Sequence, residues 1–572
     1  LPVVWACPLA DTARAEGSSE PSLIVHNGRV VTVDAGFTVA EALAVEGGRI
    51  IRVGRDSEIL EMRGPSTRVV DLHGKSVLPG LIDSHSHATD ACMTEFDHEV
   101  PQMETIADVL AHIRDRAKTL GAGKWVVLRQ VFITRLKEQR YPTRAEMDEA
   151  APRNPVLFAT GPDASLNTLA LKLSGIDRDF APDGPGRVER DASGDPTGIL
   201  RNLTRYVKVV APEREPTDAE RDKQLLALLR DYNSVGITSI IDRDADERGI
   251  GQYERLESSG TLPVRVGISR GVGSTGPIED VVKEIRTVGG HRLSKRDSAM
   301  LWLVGIKTYL DGGMLTGSAY MREPWGVSRI YAIDDPQYRG VLFIPHERLV
   351  PMVRAAVESH LQFTAHSVGD GAVHALLDAY EEVNRETPIA ATRPCITHSN
   401  FMSREAIEQA ARLGVTVDIQ PAWLYLDTRT LAAHFGEERL RYFQPLASLF
   451  ASGVTAGGGS DHMQKVGSLR SINPYNPFLA MWVAITRKAK GYEGRLHPEQ
   501  ALSREQAIRF YTINNARLLF REKELGSLEA GKLADFIVLD RDLLTCPEDD
   551  IREARVVATY LGGKAIFERH AD

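Results

Sequence analysis

Cysteine is scarce in this chain, with four in 572 residues (Cys7, Cys92, Cys395 and Cys546) and no Cys-x-x-Cys pair. That spacing argues against both a disulfide framework and a thiolate zinc site, and leaves each as a small apolar residue. Long hydrophobic runs are missing too: no stretch reaches the roughly 18 apolar residues that suggest a membrane span. Nor is there an excess of basic charge, because 69 Lys and Arg against 78 Asp and Glu give a net charge of −9. With no basic stripe, nucleic acid is not the expected partner. Heptads, short repeats and low-complexity tracts are absent as well. What remains is the composition of an ordinary globular protein, 42% hydrophobic and 26% charged. The length gives a prior of about three to four domains, although one decorated α/β barrel can absorb much of it.

The first residues stand apart. Leu1-Pro2-Val3-Val4-Trp5-Ala6-Cys7 reads as the tail of an export signal, followed by a small-residue site at Ala13-Arg14-Ala15. A lipobox ending at Cys7 and a disordered cytosolic leader are the other readings. The protein is thus expected to be exported, periplasmic or extracellular, if the segment is a signal remnant, and cytoplasmic otherwise. Residues 1–21 are set aside from the fold.

Residues 22–77 are strand-rich, with β-branched runs around Asn27-Gly28, a hairpin signal, and a second strand-turn-strand from Ala42 to Gly54. A matching piece lies at 526–572, where Phe536 to Leu539 and Val556 to Tyr560 precede a Gly562-Gly563 turn. Two such ends imply one β-sandwich built from both termini. Between them, over 78–525, apolar strands alternate with helical patterns, the habit of a parallel sheet. Strands are expected at Val77 to Asp83, Ile237 to Asp242, Val264 to Ser269, Leu301 to Leu310, Leu361 to His366, Pro394 to His398, Val415 to Gln420 and Val454 to Asp461. Eight strands close a (β/α)8 TIM barrel. The interval from His87 to Ile237 is too long for one crossover and implies an inserted subdomain over about residues 95–235, with strands near Trp125 to Leu128 and Pro155 to Thr160.

His85-Ser86-His87 ends the first barrel strand. Residues i and i+2 of a strand share a face, so the two imidazoles lie side by side, half of a tetrahedral metal shell. Alone the pair says little: 16 histidines in 572 residues give about 0.4 such pairs by chance. Active sites of barrels lie at the C-terminal strand ends, and reading those ends in order adds Lys307, His366, His398 and Asp461. Each has a plainer alternative. Lys307 suits an interior ion pair, His366 and His398 suit hydrogen-bonded core histidines, and Asp461 suits a helix cap after Gly457-Gly458-Gly459-Ser460. Six metal-competent residues in this order are hard to produce by chance.

The order resembles the amidohydrolase superfamily, and within it amidohydrolase family 3, the YtcJ-like metal-dependent hydrolases. The resemblance rests on Pro79-Gly80-Leu81-Ile82-Asp83-Ser84-His85-Ser86-His87, Ile306-Lys307 to Gly313, His366-Ser367-Val368-Gly369-Asp370, Thr397-His398, Ile419-Gln420-Pro421 and Gly459-Ser460-Asp461. The stretches Asn476 to Arg487 and Gly526 to Asp535 are similar too, so it spans nearly all of residues 23–570.

This resemblance implies that His85, His87 and Asp461 hold one metal and His366 and His398 a second, with Lys307 carboxylated to a bridging carbamate. An unmodified Lys307 beside a single metal is the alternative. The N/O donor set points to Zn2+, with Mn2+, Fe2+ and Ni2+ also compatible. The metal would lower the pKa of water toward about 7 and so supply hydroxide, with Asp461 as general base and then acid.

The expected function is hydrolysis of a carbon–nitrogen bond other than a peptide bond, in a linear amide or N-acyl compound. Attack on a cyclic amide or an ester, deamination, and a non-catalytic scaffold are the alternatives. Tyr320, Trp325, Gln420 and Trp423 are the candidate substrate contacts, with Tyr425 nearby at an aromatic mouth. The partner is a small molecule, and a homodimer is the family-level expectation. Two departures from the family pattern, at Gly161-Pro162-Asp163-Ala164-Ser165-Leu166-Asn167 and at Gly198-Ile199-Leu200-Arg201, bear on substrate preference but not on the metal set.

Overall fold

The computed structural model describes residues 20–570 apart from 130, 162, 183–185 and 211–213, so the leader falls almost wholly outside the described residues. Eight parallel strands form one sheet in sequence order: β1 (Leu81–Ser86), β2 (Ile237–Ala245), β3 (Arg265–Gly271), β4 (Leu301–Tyr309), β5 (Gln362–Ser367), β6 (Cys395–His398), β7 (Thr416–Ile419) and β8 (Ala456–Gly458). The strands are short and buried along nearly their whole length, as expected of a sheet covered on both faces. Helices return the chain between them. The helix Asp218–Ser234 opens on a capping box between Thr217 and Glu220, while Arg404–Leu413 starts on Ser403 and stops at Gly414, where φ is 67°.

The sheet closes through the residues just after β8. Asp461 N donates to His85 O at 2.8 Å, and His87 N donates to His462 O at 2.9 Å, a short parallel bridge onto β1. At the level below, Asn515 of helix Ile513–Leu518 donates to both Ile82 O and Gly458 O, which bridges the same seam. The result is the (β/α)8 barrel.

The first strand differs from its expected span. Ser76–Pro79 pairs with Phe536–Leu539 in another sheet, and only after Gly80 does the chain enter β1. Gly80 makes the transfer possible, because a Cβ there would sit 2.2 Å from Thr238 Oγ1. The expected last strand, Val454 to Asp461, is observed over Ala456–Gly458, and Asp461 beyond it takes a left-handed φ of 53°.

Two further sheets pack on each other to form the sandwich. One, of four strands, is wholly N-terminal; the other, of six, joins Ser76–Pro79, Arg29–Val31 and Val39–Ala40 to Phe536–Leu539, Val556–Leu561 and Lys564–Glu568. Leu23, Val25, Leu43 and Val45 from the first share a core with Val30, Val77, Phe536 and Tyr560 from the second. The Asn27-Gly28 hairpin does not form. Leu23–His26 belongs to the four-stranded sheet and Arg29–Val31 to the six-stranded one, so the turn is a corner between layers. Between β1 and β2 lies the insertion, a five-stranded sheet that includes Val126–Arg129 and Val156–Ala159, with helices Ile106–Leu120, Arg144–Ala150 and Thr168–Ser174. No helix among the described residues is long and apolar enough to cross a membrane.

Candidate metal centre

The strand register brings the chemistry to one rim. Tyr309 at the end of β4 pairs with His366 on β5, and Ser367 pairs with His398 on β6. His85 and His87 leave the end of β1 on the same face, with imidazole centroids 5.1 Å apart. Across the seam Asp461 meets both: its Oδ1 is 3.4 Å from His85 Nε2 and 3.2 Å from His87 Nε2. The three can offer their ligand atoms to one metal ion.

Tautomers support that role. His85 Nδ1 donates to Asp418 Oδ1 at 3.1 Å, which leaves Nε2 as a lone pair aimed at His87 Nε2, 3.2 Å away. Two imidazole nitrogens and a carboxylate oxygen converging in this way suit a cation. His398 Nδ1 donates to Gln420 Oε1 at 2.7 Å, so its Nε2 is free as a ligand. The His398 ring stacks 5.0 Å from His85 and sits edge-on, 4.4 Å from His366. His366 Nε2 faces Gly312 O at 3.4 Å.

Burial sets the protonation. It pushes His366 down to about 3, with the Lys307 charge adding to the effect, and holds His85 and His398 well below the usual histidine range. All three are therefore neutral at physiological pH, the form that binds metal. For His87, burial is outweighed by the hydrogen bond and charge of Asp461, and the imidazole titrates above its usual value. Burial raises Asp461 despite His87. Lys307 is buried, with its ammonium 4.5 Å from the centre of the Tyr309 ring. Burial lowers its pKa against the pull of Asp244, Asp461 and Asp418.

A support layer lies behind the candidate ligands. Asp418 on β7 is fully buried and accepts from His85, from Arg243 Nη2 at 3.0 Å, from Gln420 Nε2 at 2.9 Å and from Thr397 Oγ1 at 3.2 Å. Asp83 accepts from His85 N and from Ser460, which ties β1 to the turn that carries Asp461. Asp311 accepts from three backbone N–H groups, those of Tyr320, Val368 and Gly369. The sequence reading missed these residues. Asp418 had a usable signal, a charged residue inside a strand, two positions from Gln420 and so on the same face.

The candidate substrate contacts are placed differently from one another. Trp423 lies on the first turn of helix Pro421–Phe435, with its ring 5.8 Å from His398 and its buried indole N–H without a partner among the described residues. Gln420 is buried and bonded to His398 and Asp418. Trp325 is a core residue: it donates to Ala319 O and packs on Tyr331 and Phe435, away from the ligand cluster. Tyr320 lies over Gly371, and Tyr425 packs on Trp482. The two departures in the insertion prove to be partners, because Arg201 Nη1 donates to Asp163 Oδ2 at 3.0 Å and Arg201 Nε to Glu189 at 2.7 Å.

Known proteins are similar to this chain. A protein of Arthrobacter pascens named N-substituted formamide deformylase is 30% identical over 561 residues, covering 96% of this chain and 98% of the relative. The putative amidohydrolase YtcJ of Bacillus subtilis is 25% identical over 96% of this chain and 99% of its own. Among solved structures, an uncharacterized metal-dependent hydrolase from Pyrococcus horikoshii matches with a TM-score of 0.68 at 23% identity, over 92% of this chain and 99% of that one. The model of the amidohydrolase family matches residues 68–567, and the chain belongs to that family of metal-dependent hydrolases.

Proposed function

We propose that this protein hydrolyses the carbon–nitrogen bond of a linear amide or N-acyl compound. The observation that carries the reading is the convergence of His85 Nε2, His87 Nε2 and Asp461 Oδ1 at the barrel seam. A similarity of 30% across nearly the whole length of an N-substituted formamide deformylase supports the amide class. His85, His87 and Asp461 would hold one divalent metal, and His366 and His398 would serve a second through Lys307. The lowered pKa of Lys307 favours the neutral amine, the form that takes up carbon dioxide to become a carbamate. Zinc fits the donors. When bound, the metal supplies Lewis-acid polarisation of the carbonyl and lowers the pKa of water toward about 7.

The chain's own residues supply the rest. Asp461 takes the proton from attacking water and returns it to the leaving nitrogen. Asp418 holds the His85 tautomer, and Gln420 holds that of His398.

The test pairs elemental analysis of purified protein with a panel of formamides, N-acyl amino acids, lactams and esters, with and without bicarbonate. Bound zinc and amide turnover that rises with bicarbonate are expected. Lactam turnover without linear-amide turnover would refute the linear substrate, ester turnover without amide turnover would refute the bond class, and indifference to bicarbonate would refute the carbamate.

A further inference from the structure

The residue after Asp461 is a fully buried histidine that the hydrolytic reading does not use. His462 Nε2 lies 2.9 Å from Gln464 O and 2.7 Å from Lys465 O. Carbonyls only accept, so Nε2 carries the proton and Nδ1 is a lone pair. The Tyr232 hydroxyl donates to that lone pair at 2.7 Å. Tyr232 comes from helix Asp218–Ser234 and is itself buried, its ring edge-on to Tyr475 at 4.8 Å. Tyr475 accepts from Gly467 N and donates to Asp231, which fixes the far end of the same loop.

The backbone of this segment sets the metal centre. Asp461 N donates to His85 O, His462 O accepts from His87 N, and Asp461 O accepts from Asn473 Nδ2 at 2.8 Å. Asp461 must hold a left-handed φ of 53°, an unfavourable conformation for a residue with a Cβ, so its surroundings have to impose it.

We propose that His462 is a positioning residue. Clamped between the Tyr232 hydroxyl and the two loop carbonyls, it holds the Asp461 backbone against β1 so that the carboxylate meets His85 and His87. The inference rests on the reading of Asp461 as a metal ligand, and the experiment separates the two.

Zinc-loaded wild-type protein and the variants Tyr232→Phe, His462→Gln, His462→Leu and Asp461→Asn are dialysed against EDTA. Retained zinc is read by elemental analysis, alongside circular dichroism and melting. The expected result is that His462→Leu loses zinc about 10–100-fold more readily, the usual scale for residues behind a ligand, and that Asp461→Asn, which removes a ligand, loses it at least as readily. Tyr232→Phe loses it by a smaller factor with its melting temperature near wild type. His462→Gln, whose amide can still donate to the two carbonyls, retains more than His462→Leu. Should His462→Leu fail to fold, Tyr232→Phe decides. Wild-type retention in folded Tyr232→Phe and His462→Leu, with loss in Asp461→Asn, overturns the positioning role. Wild-type retention in Asp461→Asn overturns the site reading itself, and the positioning role with it.

Discussion

Replacing Asp418 by Asn tests the layer behind the ligands, because one buried carboxylate serves two masters there. Arg243 Nη2 is 3.0 Å from Asp418 Oδ2, and neither side chain is exposed. At that distance, with an effective dielectric of about 20, the attraction is about 5.5 kcal/mol. Removing one partner leaves the guanidinium buried without its counter-ion, at a cost of about 3–5 kcal/mol. The lower end is expected, since Arg243 keeps Gln362 Oε1 at 3.0 Å and Ser84 O at 3.3 Å. At about 0.8 °C per kcal/mol for a chain of this length, melting should fall by roughly 2–4 °C. The same change removes the charge that fixes the His85 tautomer, so zinc should be lost about 10–100-fold more readily. The two effects separate in the pair Asp418→Asn with Arg243→Met, which should recover most of the melting temperature but none of the zinc retention. Asp418→Asn that melts within a degree of wild type and holds zinc normally would refute the reasoning.

Other outcomes follow from the same geometry. Asp461→Asn should abolish amide turnover while leaving circular dichroism unchanged; near-normal activity would exclude it as general base. Gly80→Ala should destabilise by about 1–3 kcal/mol through overpacking, since its Cβ would meet Thr238 Oγ1 at 2.2 Å and Cγ2 at 2.6 Å, and Thr238→Ala should relieve part of that in thermal melts. Burial, with the charges of His98 and Arg116, pushes His112 down to about 4. The unfolded chain then binds more protons between pH 4 and 6.5, so this contribution to stability is full above 6.5 and fades toward 4. His112→Phe should flatten melting temperature over that window.

Six ligand candidates were readable before any coordinates, because a barrel strand places its C-terminal residue at the rim and the apolar run before it is visible in the sequence. His85 and His87 needed only the two-residue period of a strand. The support layer was not readable in this way. Asp418 and Arg243 sit on different strands and acquire meaning only from the sheet register that sets them 3.0 Å apart. Asn27-Gly28 shows the opposite failure, where a strong local turn signal is overruled because the flanking strands bury their apolar faces in two different sheets. Trp325 looked like a pocket wall by residue type, but packing against Tyr331 and Phe435 takes it into the core.

The sequence by itself determined the alternation of strands and helices, the terminal sandwich strands and the donor types at the strand ends, since each depends on neighbours only a few residues away. Tertiary structure alone decided how the barrel closes and which side chains lie behind the histidines. Asp461 is separated from His85 by most of the barrel, and the two meet where residues 460–462 bond to β1. Such contacts depend on loop closure over hundreds of residues, about which a local pattern carries no information.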